Sequence, residues 1–370
     1  MKIALVHDYL NQYGGAERVF ESFLNLFPDA KIFTLIRNND NLPERLRNIK
    51  SEISFLQRLP AIKTMYERYL FLYPLAIESF DLTDFDLVLS DSSAWAKGVF
   101  TTKDTLHICY CHSPMRFAYE SFHSYTVGES RNQFEKFFLR FTVNFFRIWD
   151  YTTSQRVDYF IANSENVRMR IKKYYGRESV VIYPPCDLEK FYPEDVKKED
   201  YFLLVGRMKE YKKFPIAIEA FNRLGLPLVV IGEGPILPKL IRMAKSNIHF
   251  LRKVDDDTLR RFYQRAQALI FPQIEDFGIT PVESQSCGTP VIAFRGGGAI
   301  ESMIEGKTGL FFDEQTPEAI IDAVKKFKDM KFKKEDLINN AKKFDKKIFE
   351  KKIKDFIMEK YRKFKNVRSI

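Results

Sequence analysis

Short runs of apolar and β-branched residues recur along this chain, each followed by a stretch with helical periodicity. Several of the runs are apolar at every position rather than at every second one. That pattern fits strands covered on both faces, the condition of a parallel sheet flanked by helices. A first series comprises IALV at 3–6, KIFTL at 31–35, DLVLS at 86–90, LHICYC at 106–111 and YFIAN at 159–163. A second comprises FLLVG at 202–206, LVVIG at 228–232, ALIFP at 268–272 and PVIAF at 290–294. Helical patterns such as AIEAFNRL and TPEAIIDAVKKF lie between them. Alternation of this kind predicts the α/β class.

At 370 residues the chain exceeds one ordinary core and suits two domains. The segment VVIYPPCDLEKFYPEDVKKED, with Pro184, Pro185 and Pro193, separates the two strand series. The expected division is 1–185 and 186–346, each half a Rossmann-like domain, the pair facing across a cleft. Ligands of open parallel sheets sit beyond the carboxyl ends of the strands.

The net charge of +10 raises nucleic acid or a membrane as partners. Its location points elsewhere. Between Ala323 and Ile370 stand 18 Lys and Arg against 7 Asp and Glu, so the excess belongs to one C-terminal tract. Such a tract reads as a solvated helix face, with anionic lipid headgroups as the alternative. Cys109, Cys111, Cys186 and Cys287 form no CxxC pair, which predicts reduced thiols and a cytoplasmic setting. Cys109, Cys111 and His112 lack a fourth ligand for zinc. MKIALVHDYL turns polar too soon for a signal peptide, and YLFLYPLAI is too short to span a bilayer.

Four elements carry chemistry. Gly14 and Gly15 open an amphipathic helix after the first strand, where a backbone can approach phosphate, although the full GxGxxG spacing is absent. Arg207, Lys212 and Lys213 follow the strand at 202–206, and cations there suit a diphosphate. In QIEDFGITPVESQSCGTPVIAFRGGGAIES, the run Thr280-Pro281-Val282-Glu283 matches a capping box with Pro at the first helical position. Glu283 then only satisfies a backbone amide; alternatively its carboxylate accepts from two neighbouring hydroxyls, as on a ribose. The capping box leaves Glu275 and the glycines at 296–298 unexplained. Asp255-Asp256-Asp257 reads as a helix cap rather than a D-x-D metal motif.

These motifs occur in order and together. EDFGITPVESQSCGTPVIAFRGGGAIE resembles the E-x7-E signature of family 4 glycosyltransferases, which have the GT-B fold. GGAERV, the GR…K element and VIYPPCDLEKFYP are similar to further segments of that family. FLQRLP…YPLAIESFDL and HICYCHSPMRFAYESF resemble the branch that adds mannose and related sugars to bacterial polysaccharides. The resemblance implies that Glu283 binds the ribose of a nucleotide-sugar and Glu275 the hydroxyls of its sugar. It places the backbone of Phe277, Gly278 and Ile279 beside them. Arg207 and Lys212 would grip the diphosphate, Gly14 and Gly15 would close over the phosphates, and His112 would lie near the reacting carbon. It also implies that a helix at about 347–370 crosses back onto the N-terminal domain.

The expected activity is retaining transfer of a hexose, mannose from GDP-mannose, onto a growing lipid-linked glycan at the inner membrane face. No metal cofactor and no nucleic-acid partner are expected. The rivals are a GT-B-like sugar-nucleotide epimerase and a non-catalytic protein binding lipid or nucleic acid. The aromatic stripe Phe134, Phe137, Phe138, Phe141, Phe145 and Trp149 is expected in the core, with a lipid-facing surface as the alternative.

Overall fold

The computed structural model describes residues 1–120 and 133–367. The chain divides into two compact units, Met1–Tyr183 with Glu350–Ile370, and Pro184–Phe349. Each is a parallel-sheet α/β unit of Rossmann type.

In the first unit the strands are β1 (Ile3–Leu10), β2 (Lys31–Arg37), β3 (Glu52–Ile53), β4 (Leu87–Ser92), β5 (Leu106–Cys111), β6 (Tyr159–Ala162) and β7 (Ser179–Val181). Their order across the sheet is β3-β2-β1-β4-β5-β6-β7. The chain steps outward from β1 to β3, then returns to β1's other edge with β4, so the winding reverses between β1 and β4. That reversal opens the crevice in which such sheets hold ligands.

The second unit repeats the plan with β8 (Phe202–Val205), β9 (Leu228–Ile231), β10 (Ile248–Leu251), β11 (Leu269–Phe271), β12 (Val291–Phe294) and β13 (Gly309–Phe312). Their order is β10-β9-β8-β11-β12-β13, with the reversal between β8 and β11. Successive residues feed opposite clusters: Leu203, Val229, Leu269 and Val291 enter one, Leu204, Val230, Ile270 and Ile292 the other. Burial on both faces is why these strands are apolar at every position.

All the strands expected from sequence are present. The unforeseen ones are β3 and β10, of mixed polarity, β7, hidden in the segment assigned to the linker, and β13, opened by a glycine. The strand expected at 3–6 runs on to Leu10 through His7 and Asp8, both buried.

The helix Gln133–Ser154 corrects the expected core stripe. Phe141 is 65% exposed and Phe145 45%, with Ile148 beside them, whereas Val143 and Phe146 are buried. Trp149 packs on Trp95 with ring centroids 5.4 Å apart. The side chains of Phe134, Phe137 and Phe138 lie outside the described residues. The inward face is set by Asp150, which is wholly buried, paired with Lys97 and bonded by the Tyr175 hydroxyl at 2.8 Å. A buried carboxylate keeps its partners, so it fixes the helix's rotation and turns Phe141 and Phe145 outward.

The last helix, Lys346–Val367, begins in the second unit and continues in the first, where Ile353 and Ile357 are buried. Lys365 pairs with Asp86 at 3.4 Å and Lys363 with Glu359 at 2.7 Å, while Lys360 lies over Tyr159. Part of the basic tract is thus engaged within the chain. No helix among the described residues is long and apolar enough to cross a membrane.

Candidate functional site

At the reversal of the first sheet, His7 on β1 stands in register with Asp91 on β4. His7 Nδ1 lies 2.8 Å from Asp91 Oδ2, and His112 Nε2, just past β5, lies 2.5 Å from Asp91 Oδ1. His7 Nε2 is 3.8 Å from Glu17 Oε1, and Glu17 Oε2 accepts the Gly14 amide at 2.7 Å. A continuous polar chain therefore runs Gly14, Glu17, His7, Asp91, His112. The adjacent Asp8 accepts four backbone amides, those of Ser93, Ala94, Trp95 and Ala96, at 2.6–3.0 Å, and so pins the loop after β4.

Burial disfavours charge on His7, but the hydrogen bonds and charges of Asp91 and Glu17 outweigh it and raise its pKa to about 10. Burial likewise opposes charge on Asp91, yet His112 and His7 hold it below the usual carboxylate range. His107 behaves oppositely: burial, with Arg156 and Arg177 nearby, lowers it to about 3. The folded pKa of His7 exceeds the unfolded value. Its charge therefore stabilises fully below pH about 6.5, and that contribution is lost as pH rises through about 10. Thermal midpoints should fall across that window, and fall less steeply in His7→Gln, as read by circular dichroism melts; parallel slopes would refute the charge.

At the reversal of the second sheet, the loop after β8 carries Arg207 and Lys212, and the loop after β11 carries Glu275. Lys212 and Glu275 form an ion pair, their side chains 15% and 17% exposed. Arg207 is exposed and follows Gly206, whose carbonyl lies against Gly232. Lys213 caps the helix Phe214–Leu224 with φ +58, a left-handed conformation unusual for a lysine and one that stores strain of about 1 kcal/mol or more. The glycines at 296–298 now have a cause. Gly298 N–H donates to Glu275 O at 3.0 Å, and a Cβ on Gly297 would sit 2.2 Å from that same oxygen. Bare backbone there holds the Glu275 loop.

Two expectations need correcting. The helix after the loop is Ile279–Ser286, capped by Gly278 at φ +81, with no side-chain cap. Pro281 is thus its third residue, and Glu283 is no part of a capping box. Its buried carboxylate accepts from the Tyr263 hydroxyl at 3.1 Å instead. A left-handed Gly cap starts the helix two residues before Thr280 could. Gly14 differs too: Glu17 occupies its amide, so within the glycine pair the exposed Gly15 faces open space.

The remaining site residues fall as follows. Phe277 is buried against Phe344, with centroids 5.3 Å apart, and Gly278 and Ile279 begin the helix that bears Glu283. Lys212 and Glu275 meet; Glu283 turns to Tyr263. Asp255 caps the helix Asp256–Arg265, accepting from Thr258 N at 2.7 Å. Cys109 and Cys111 are buried on β5. Among the described residues no group of three His, Cys, Asp or Glu side chains is arranged to hold a metal ion. Sequence reasoning missed His7, Asp8, Glu17, Asp91 and Tyr263. The signal for three of them was polar residues continuing an apolar run: HD after IALV, and D after DLVLS.

Both halves of the chain resemble known proteins. Residues 13–190 match the model of Glycosyltransferase Family 4, and residues 187–344 that of Glycosyl transferases group 1. The D-rhamnosyltransferase WbpZ of Pseudomonas aeruginosa is 34% identical over 133 residues, 34% of this chain and 35% of that protein. The GDP-mannose-dependent alpha-(1-6)-phosphatidylinositol monomannoside mannosyltransferase of Mycolicibacterium smegmatis is 34% identical over 192 residues, 44% of this chain and 50% of that one. The match thus spans half or less of each relative's length. Sucrose-phosphate synthase from Thermosynechococcus elongatus shares the fold, with TM-score 0.75 over 98% of this chain and 99% of that one at 16% identity. In order along the chain, the two halves thus resemble a Glycosyltransferase Family 4 domain and a Glycosyl transferases group 1 domain, and the fold is GT-B.

Proposed function

We propose that this protein is a retaining glycosyltransferase that moves mannose from GDP-mannose onto a growing, lipid-linked glycan at the cytoplasmic face of the membrane. The observation that carries the reading is the Lys212–Glu275 pair at the reversal of the second sheet. A nucleotide-sugar joins a hydroxyl-rich ring directly to a diphosphate. An ammonium beside a carboxylate matches that junction: Lys212 takes phosphate oxygens while Glu275 accepts from ring hydroxyls. Breaking the sugar–phosphate bond puts negative charge on the departing diphosphate. Lys212 and Arg207 stabilise that charge.

These cations supply the charge that a divalent metal would otherwise bring, so transfer should persist in EDTA. The diphosphate is already a good leaving group, and its oxygen can take the acceptor's proton. Glu275 and Glu283 then recognise substrate rather than act as the acid and nucleophile of a glycosidase. Glu283, held by Tyr263, would receive ribose hydroxyls, and His112 would meet the sugar. The GDP-mannose dependence named for the mycolicibacterial relative supports GDP-mannose as donor. The exposed Phe141, Phe145 and Ile148 offer apolar contact to a bilayer bearing the acceptor.

The deciding experiment pairs a thermal-shift panel of nucleotide-sugars with transfer to a lipid-linked acceptor in EDTA. GDP-mannose should raise the melting temperature of the wild type, and do so much less in Glu283→Ala. Stabilisation by UDP-sugars alone would overturn the donor, and hydrolysis without transfer would overturn the reaction.

A further inference from the structure

The function proposed above uses His112 and leaves the groups behind it unassigned. His7, Glu17 and Asp91 are each no more than 3% exposed, although buried ionisable groups are costly to fold. They come from three separate elements, the helix Gly15–Leu26, β1 and β4, and join end to end behind His112, which Asp91 contacts directly. Of the two histidines on Asp91, only His112 reaches the surface, its side chain 12% exposed.

We infer that Asp91, His7 and Glu17 are positioning residues for His112, fixing its imidazole with Nε2–H on Asp91 so that Nδ1 is the ring atom presented to substrate. Asp91 divides its two oxygens: Oδ2 goes to His7 and Oδ1 to His112. A carboxylate accepts only, so His112 donates from Nε2. In the neutral ring Nδ1 then carries the lone pair. His7 holds Asp91 in this orientation and is itself clamped, by Glu17 at its far nitrogen and by Phe20 stacked at 4.7 Å on its face. Glu17 in turn is tied to the Gly14 amide.

The inward side of His112 is fixed as well. Its backbone N–H donates to Ser92 O at 2.9 Å, and its carbonyl accepts from Asn163 Nδ2 at 3.0 Å. Its ring meets Tyr110 edge-on at 5.2 Å. Backbone and ring are therefore held independently, and the ring's rotation and tautomer fall to Asp91.

The inference rests on the transferase reading only for what His112 does, and its test separates the two. Nitrogen-15 NMR of histidine-labelled protein, assigned by loss of signals in His112→Gln, should show the Nε2–H tautomer at His112. Asp91→Asn should abolish that tautomer preference and lower kcat by about 10²-fold with little change in the KM for GDP-mannose. Glu17→Gln, which can still accept the Gly14 amide, should retain the tautomer and lower kcat several-fold at most. If Asp91→Asn fails to fold, the wild-type spectrum still decides. An Nδ1–H tautomer in the wild type, or Asp91→Asn with unchanged kcat and His112 signals, overturns the inference. A wild type that shows the tautomer, loses it in Asp91→Asn and transfers no sugar upholds the positioning and sinks the reaction.

Discussion

Lys212→Ala should lower kcat/KM for transfer by about 10²–10³-fold, the usual loss when one preorganised partner of a developing anion is removed. Its effect on stability is separable. Lys212 and Glu275 are mostly shielded, so removing either leaves the other's charge poorly solvated. Each single alanine variant should therefore melt below the wild type, and the double variant should recover part of the loss, with a coupling of about 0.5–3 kcal/mol. Under the roles proposed for the pair, activity should not recover, because the double variant would grip neither phosphate nor sugar. Denaturant titrations and initial rates measured on the same four proteins would decide. Near wild-type turnover in Lys212→Ala would remove the pair from the chemistry.

Gly297→Ala should be as damaging without touching a charged group. The new methyl would stand 2.2 Å from the Glu275 carbonyl oxygen, on a backbone at φ +57 that a side chain adopts only under strain. Relief requires the Glu275 loop to move. The expected cost is about 1–3 kcal/mol of stability, and binding of the proposed donor, GDP-mannose, should fall at least tenfold by calorimetry. Unchanged affinity would mean that the loop's position does not govern donor recognition.

Much of this was legible in the chain. Runs such as FLLV and LVVI are apolar at every position because alternate residues enter opposite clusters, and that requirement is visible without coordinates. Lys212 and Glu275 could be nominated because each follows such a run. Their contact could not, since 63 positions separate them and the fold brings them together. The polar chain behind His112 was harder still. His7 and Asp91 lie 84 positions apart, and hydropathy reads both as the end of a strand. Their burial follows from mutual pairing, which no single-segment pattern records. The orientation of Phe141 and Phe145 escaped for the same reason: it is dictated by Asp150 meeting Lys97 from another element.

The passage of the last helix from one unit into the other bears on how the protein is made. Pro184–Phe349 is one uninterrupted stretch, so that unit can fold as soon as it leaves the ribosome. The first-emerging unit cannot finish. Its slot for Ile353 and Ile357 stays open until the entire second unit has been translated, leaving apolar surface uncovered during synthesis. Fragments ending near residue 183 should therefore clump in cells, and grafting residues 350–367 onto them through a flexible tether should restore solubility.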